Sequence, residues 1–210
     1  MRRITACATS VVALTTACAL TPGQAAQAYP PTPPSASTAA TQLASLTVKA
    51  EGSTSGYSRD KFPHWHTVSG TCDTRDEVLK RDGTGVTVDS NCEPTAGKWY
   101  SVYDAKWVYD DADVDIDHIV PLAEAWKSGA STWTTAKREQ FANDLSIAQL
   151  IAVSASSNRS KGDSDPAAWK PPNSSVHCIY AREWIWVKYT YKLSLQSSEK
   201  TALQQMLATC

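Results

Sequence analysis

The sequence predicts an α+β fold, and three observations carry that expectation. Strand-like alternation clusters between Gly85 and Val120 and returns at Leu150–Val153, while Val176, Ile179, Glu183, Val187 and Tyr191 fall at helical spacing. An even set of cysteines in an exported chain adds covalent staples to whatever core forms. With 210 residues, 42% hydrophobic and 20% charged, the chain has room for a buried core, and its composition excludes disorder, collagen and a membrane bundle. Eight Trp and eight Tyr against two Phe mean that most rings carry a polar handle, which suits a partly wet groove.

The first segment is read as an export signal. Arg2 and Arg3 precede an apolar run from Ile4 to Leu20, and Ala26-Gln27-Ala28 supplies the small-x-small pattern, so cleavage is expected near Ala28. A lipoprotein reading at Cys18 conflicts with Thr15, which stands where a lipobox has Leu. Removing residues 1–28 leaves eighteen basic and twenty-one acidic groups, a formal charge of −3, so phosphate binding has to be local. Residues 29–42 are rich in Pro, Ala, Thr and Ser and read as a disordered linker. Residues 43–210 show no further composition break or repeat and read as one domain. Of the remaining cysteines, Cys72, Cys92, Cys178 and Cys210, three pairings are open, and proximity favours Cys72 with Cys92 and Cys178 with Cys210. The absence of C-x-x-C argues against a zinc knuckle.

Along the domain, Asp73 caps a helix over Thr74–Arg81 that Asp82-Gly83 ends, and Gly85–Asp89 alternates like a strand. Lys98–Val102 and Lys106–Tyr109 flank Tyr103-Asp104-Ala105 as a hairpin. Asp115–Val120 reads as a strand ended by Pro121. Thr132–Asn143 has helical composition, Leu150–Val153 is a short apolar strand, and Ser154 caps a helix that Gly162 terminates. The Val176–Tyr191 helix and a final helix over Ser197–Leu207 serve as scaffold.

The chemistry concentrates in Asp113-Val114-Asp115-Ile116-Asp117-His118-Ile119-Val120-Pro121-Leu122. In an extended strand the three acids share one face, and Val114, Ile116 and His118 take the other. Such an acidic edge needs solvent, Lys or Arg partners, or a cation. An EF-hand does not fit: counted from Asp111, position six is Ile116 where Gly is required, and position twelve is Leu122 where Glu is required. About forty residues on, Leu150-Ile151-Ala152-Val153-Ser154-Ala155-Ser156-Ser157-Asn158-Arg159-Ser160-Lys161-Gly162-Asp163 runs from strand into helix.

On the strings DIDHIVPLAEAW (residues 115–126), LIAVSASSNRSKGD (150–163) and DPAAWKPP (165–172), the chain resembles the HNH, or His-Me finger, nucleases, in particular the exported branch related to the C-terminal domain of GmrSD-type restriction enzymes. Looser likeness extends over Arg59-Asp60-Lys61-Phe62, Cys72-Asp73-Thr74-Arg75 and the Cys178–Cys210 tail. The resemblance implies a ββα-metal core with added helices and short antiparallel strands, disulfide-stapled. It implies that Asp117 and Asn158 ligate one divalent cation, Mg²⁺ first, with Mn²⁺, Ca²⁺ or Zn²⁺ as alternatives, and that His118 is the general base. For both to serve one phosphate, the strand has to bend or end at His118.

Arg159, Lys161 and Arg75 are candidate phosphate contacts, since guanidinium pairs bidentately and ammonium supplies a point charge. The central Asn that orients the histidine in many members has no clean counterpart here; Asn143 is taken for it, with Gln149 as the rival. Glu124 reads as a surface side chain, His64 and His66 as structural or surface residues, and Trp126, Trp133 and Trp169 as packing around the finger. The implied function is an exported, metal-dependent, monomeric endonuclease. It would act on DNA, with RNA left open, mainly through phosphates, without membrane contact once the signal is removed. Two rivals remain: a noncatalytic module that binds a cell-surface polymer, and a zinc hydrolase built on His64 and His66.

Overall fold

The computed structural model describes residues 30–210, so the expected signal segment and its cleavage point lie outside the described residues. In chain order the elements are α1 (Ala36–Ser45), β1 (Thr67–Ser69), β2 (Cys72–Asp73), α2 (Thr74–Asp82), β3 (Gly83–Val88), β4 (Pro94–Ser101) and β5 (Lys106–Val108). Then follow β6 (Val114–His118), α3 (Leu122–Ser128), α4 (Thr135–Ala142), β7 (Leu150–Ser154), α5 (Ala155–Lys161), α6 (His177–Tyr191) and α7 (Ser197–Leu207). All pairings between these strands are antiparallel and form three small sheets, β1-β2, β3-β4-β5 and β6-β7.

Two apolar clusters flank the β6-β7 pair. Val114 and Ile116 of β6, with Leu150 and Ala152 of β7, face Val78, Leu79 and Trp99. Ile151 and Val153 point the other way, into the larger cluster that contains Tyr180, Trp184 and Ile185 of α6. β7 is therefore buried on both faces and reads as a continuous apolar run, whereas β6 alternates because its second face carries acids.

Several elements follow local chemistry closely. Asp73 and Asp76 form a reciprocal capping box on α2. The β4-β5 hairpin turns through Ala105 at a φ of 57°, with Ser101 opposite Lys106. Disulfides join Cys72 to Cys92, tying β2 to the turn after β3, and Cys178 to Cys210, tying the start of α6 to the C-terminus.

Two expectations are corrected. A helix over residues 36–45 takes in the second half of the stretch read as a disordered linker, 29–42, and runs on into the domain: Ser35 accepts from the Thr38 N–H, and Ala39 and Leu43, four apart, are buried against the larger cluster. The preceding prolines are held as well, because Arg182 donates to the carbonyls of Pro33 and Pro34 at 2.9 and 2.7 Å. Composition alone reads Ala and Thr richness as low complexity, yet an apolar stripe of two residues suffices once α6 and α7 cover it. Glu124 is buried and not on the surface: it accepts from the fully buried Lys188 ammonium at 2.7 Å, which also pairs with Glu199 at 2.8 Å and so locks α3, α6 and α7 together.

Candidate active site

The β6-β7-α5 unit positions the motif residues. Asp117 lies opposite Ile151 and His118 opposite Leu150, and β6 ends at His118, the termination that the motif required. The outer edge of β7 is closed by side chains: Arg81 donates to the Leu150 carbonyl at 2.6 Å, and the Ala152 N–H donates to Asp82 at 2.8 Å. Ser154 closes the strand and caps α5 by accepting from the Ser157 N–H, and Gly162, at a φ of 52°, ends the helix. About two turns of helix thus lie across the acidic face of β6.

Each acid there finds a partner. Asn158 Nδ2 donates to Asp115 Oδ2 at 3.0 Å, and the exposed Arg159 reaches the same oxygen at 3.8 Å. Asp117 is buried, accepting from Lys161 Nζ at 2.8 Å and from the Tyr103 hydroxyl at 2.6 Å. Asp113 sits before the strand in a single 3₁₀ turn, Asp111–Asp113. The stacked acidic edge expected from alternation is therefore dismantled: one acid leaves the strand, one is bridged by α5, and one is buried in an ion pair. Asp117, His118 and Asn158 line one cavity of about 190 Å³, together with Arg59, Arg159 and Asp163.

Two of the three expected phosphate contacts are placed elsewhere. Lys161 is fully buried and spends its ammonium on Asp117 and on the His118 carbonyl, each at 2.8 Å. Arg75 donates to the carbonyls of Asp111 and Val114 at 3.3 Å, fastening α2 to the start of β6. Arg159 alone of the three borders the cavity, with a largely exposed guanidinium 3.8 Å from Asp115.

His118 Nε2 lies 2.9 Å from the Ala142 carbonyl. A carbonyl can only accept, so Nε2 carries the proton and Nδ1 keeps the lone pair. Trp65 stacks on the imidazole at 5.7 Å between centroids and 22° between planes. Asn143 does not touch His118. Its Nδ2 donates to the carbonyls of Pro63 and Glu139 at 2.8 Å, and its Oδ1 accepts from the His66 N–H at 3.3 Å, so it brackets the loop that carries Trp65 and adjoins Ala142. Gln149 pins the chain just beyond the histidine through both backbone groups of Val120. Trp65, Tyr103 and Arg59 were missed as site residues, because they come from distant segments and no spacing in the sequence links them to the motif.

Burial dominates the electrostatics. It depresses the His118 imidazole from 6.5 to about 3, against the partial support of the Ala142 carbonyl. It raises the Asp117 carboxyl and lowers the Lys161 ammonium, each opposed by the attraction between the two. It also lifts Glu183 in α6, whose Oε1 has no partner, from 4.5 to about 8. His118 gains protons on unfolding between pH 3 and 6.5, so it makes stability rise with pH across that window. Glu183 loses protons on unfolding between pH 4.5 and 8, so it makes stability fall with pH there. The two slopes oppose each other between 4.5 and 6.5. We expect a plateau there, with a loss of about 2 kcal/mol from 4.5 down to 3 and about 2 kcal/mol from 6.5 up to 8. Urea unfolding across this pH range checks it: Glu183→Gln should shrink the alkaline fall, to which the raised Asp82, Asp117 and Glu199 carboxyls add in the same direction, and an unchanged fall would remove Glu183 as a source.

The donor chemistry suits a hard cation. Among the described residues, no three or more His, Cys, Asp and Glu side chains gather at metal-binding distance. His64 is engaged by the Phe62 carbonyl and Arg59, and His66 faces Glu139, so the two do not form a zinc pair. Asp117 retains a second lone pair on each oxygen, and Asn158, whose nitrogen serves Asp115, keeps its carboxamide oxygen. One carboxylate and one carboxamide beside an open cavity fit an ion that keeps several waters.

A sequence model described as the C-terminal domain of GmrSD restriction endonucleases matches residues 73–206. A protein described as an uncharacterized secreted protein of Arthroderma benhamiae is 58% identical over 181 residues, covering 86% of this chain and 89% of that protein. No solved structure matches the chain.

Proposed function

The chain belongs to the family of GmrSD restriction endonuclease C-terminal domains, and on that premise we propose that it is an exported, metal-dependent nuclease that hydrolyses phosphodiester bonds of DNA. The supporting observation is convergence: Asp117 and His118 from the end of β6 and Asn158 from α5 line one cavity. Export accords with the basic and apolar N-terminal segment and with the two disulfides. No helix among the described residues is long and apolar enough to cross a membrane.

Asp117 and Asn158 would hold one divalent cation, Mg²⁺ before Mn²⁺, Ca²⁺ or Zn²⁺; when bound, it supplies positive charge to the scissile phosphate and the departing 3′ oxygen. His118 Nδ1 takes the proton from the attacking water, the water oxygen bonds to phosphorus, the P–O3′ bond breaks, and the 3′ oxygen leaves with a proton from solvent. The Ala142 carbonyl fixes the tautomer that this requires. An imidazole held near 3 is neutral at physiological pH but a weak base, and an anionic phosphate in the cavity strengthens it by favouring the imidazolium. Arg59 and Arg159 border the same cavity and supply charge to the phosphate's free oxygens.

The exported protein should therefore nick supercoiled plasmid with Mg²⁺ or Mn²⁺ and stop on chelation. Asn158→Ala should raise the cation concentration needed for half-maximal rate about tenfold or more. Nicking that ignores chelator, or no nicking with any divalent ion, would set this reading aside.

A further inference from the structure

The H-x-H pair of the sequence comes apart in the fold: His66 turns to Glu139, and His64 stands beside the candidate active site. His64 Nδ1 lies 2.8 Å from the Phe62 carbonyl, which can only accept, so Nδ1 carries the proton and Nε2 keeps a lone pair. Arg59 Nε donates to that lone pair at 3.2 Å. Among the described residues no other hydrogen bond or ion pair engages the Arg59 guanidinium, and the side chain lines the cavity of Asp117, His118 and Asn158. The four N–H donors on Nη1 and Nη2 are therefore uncommitted.

The frame behind this contact is fixed. Arg59–Lys61 is a single 3₁₀ turn closed by the Phe62 N–H on the Arg59 carbonyl at 2.9 Å, and the Phe62 ring is fully buried in the larger cluster. The His64 ring meets Trp65 edge-on at 5.3 Å, and Asn143 holds the Pro63 carbonyl and the His66 N–H on either side. The choice of partner matters as well. A carboxylate in place of His64 would orient the guanidinium and cancel its charge, whereas a neutral imidazole orients it and leaves the charge to an anion in the cavity. Arg159, on the same cavity, shows the contrast: its side chain is 75% exposed, and its ion-pair partner is the Asp115 carboxylate at 3.8 Å.

We propose, resting on the nuclease reading above, that His64 is a positioning residue: through its neutral Nε2 it holds Arg59 so that Nη1 and Nη2 take two free oxygens of the substrate phosphate as a bidentate pair. A guanidinium already held at Nε loses less rotamer freedom when it closes on a phosphate.

A double-mutant cycle on DNA binding tests this. A fluorescent duplex is titrated with the exported protein in chelator and followed by anisotropy across a salt series, with melting measured for each variant so that affinities are compared between folded proteins. Arg59→Ala should weaken binding about tenfold and flatten the salt dependence by about one phosphate contact. His64→Ala should reproduce most of that loss, and in the Arg59→Ala background it should cost less than about twofold more, because its effect runs through Arg59. His64→Gln, whose amide oxygen can accept from Nε, should stay within about threefold of the parent protein, whereas His64→Glu should bind at least as weakly as Arg59→Ala. Additive losses, or equal binding by the Gln and Glu variants, overturn the assignment. If His64 acted on His118 through Trp65, His64→Ala would slow nicking at saturating plasmid and leave duplex affinity unchanged, which overturns it too. Plasmid nicking by the parent protein separates the two readings: nicking with an additive cycle sinks this inference alone, whereas neither nicking nor duplex binding sinks both.

Discussion

His118→Ala should slow plasmid nicking by two to four orders of magnitude at pH 7, the range a positioned general base contributes. The variant deletes Nδ1, the ring atom that keeps a lone pair while Nε2 is held by the Ala142 carbonyl. It also removes the ring on which Trp65 stacks, so melting has to be measured alongside the rate. The expected pattern is a large rate loss with an unchanged cation requirement, because Asp117 and Asn158 remain. Added imidazole should recover part of the rate, which a purely structural lesion would not allow. A variant within threefold of the parent protein would mean that another group takes the proton, and the assignment of His118 would fall.

How much of this could be read from the sequence depends on the range of the interaction. Asp73 with Asp76, Ser154 with Gly162, and the alternation of Val114 and Ile116 are local signals, and the capped α2, the short α5 and the strand β6 follow them closely. The strand-strand-helix order was legible for the same reason. Burial was not. Nothing local in Asn158-Arg159-Ser160-Lys161 distinguishes a cation that meets solvent from one that turns inward, and Lys161 turns inward because Tyr103 and Asp117 leave it a polar slot beneath the helix. Glu124 follows the same logic, since its partner Lys188 lies 64 residues away. Trp65 reaches His118 through a loop held by Asn143, a contact between three segments that no single periodicity encodes.

The inward lysine sets up the second large effect. Lys161→Ala should destabilise the fold by about 3–5 kcal/mol, because it strands a buried carboxylate with only the Tyr103 hydroxyl for support. A surface phosphate contact predicts the opposite profile: little change in stability and an altered salt dependence of binding. The deficit should also depend on pH. Without the ammonium, burial holds the Asp117 carboxyl above its unfolded value, so the folded variant retains a proton that the unfolded chain releases. Its stability is then present in acid and lost as pH rises through that range, and the gap to the parent should narrow toward pH 4. Pairing Lys161→Met with Asp117→Asn removes both charges, and recovery of part of the loss would assign the cost to the stranded carboxylate and not to the missing side-chain volume. Urea midpoints at pH 4 and pH 7 decide it. A shift below about 1 kcal/mol at neutral pH would mean that Lys161 behaves as a solvated cation after all, and the burial of Asp117 would need another explanation.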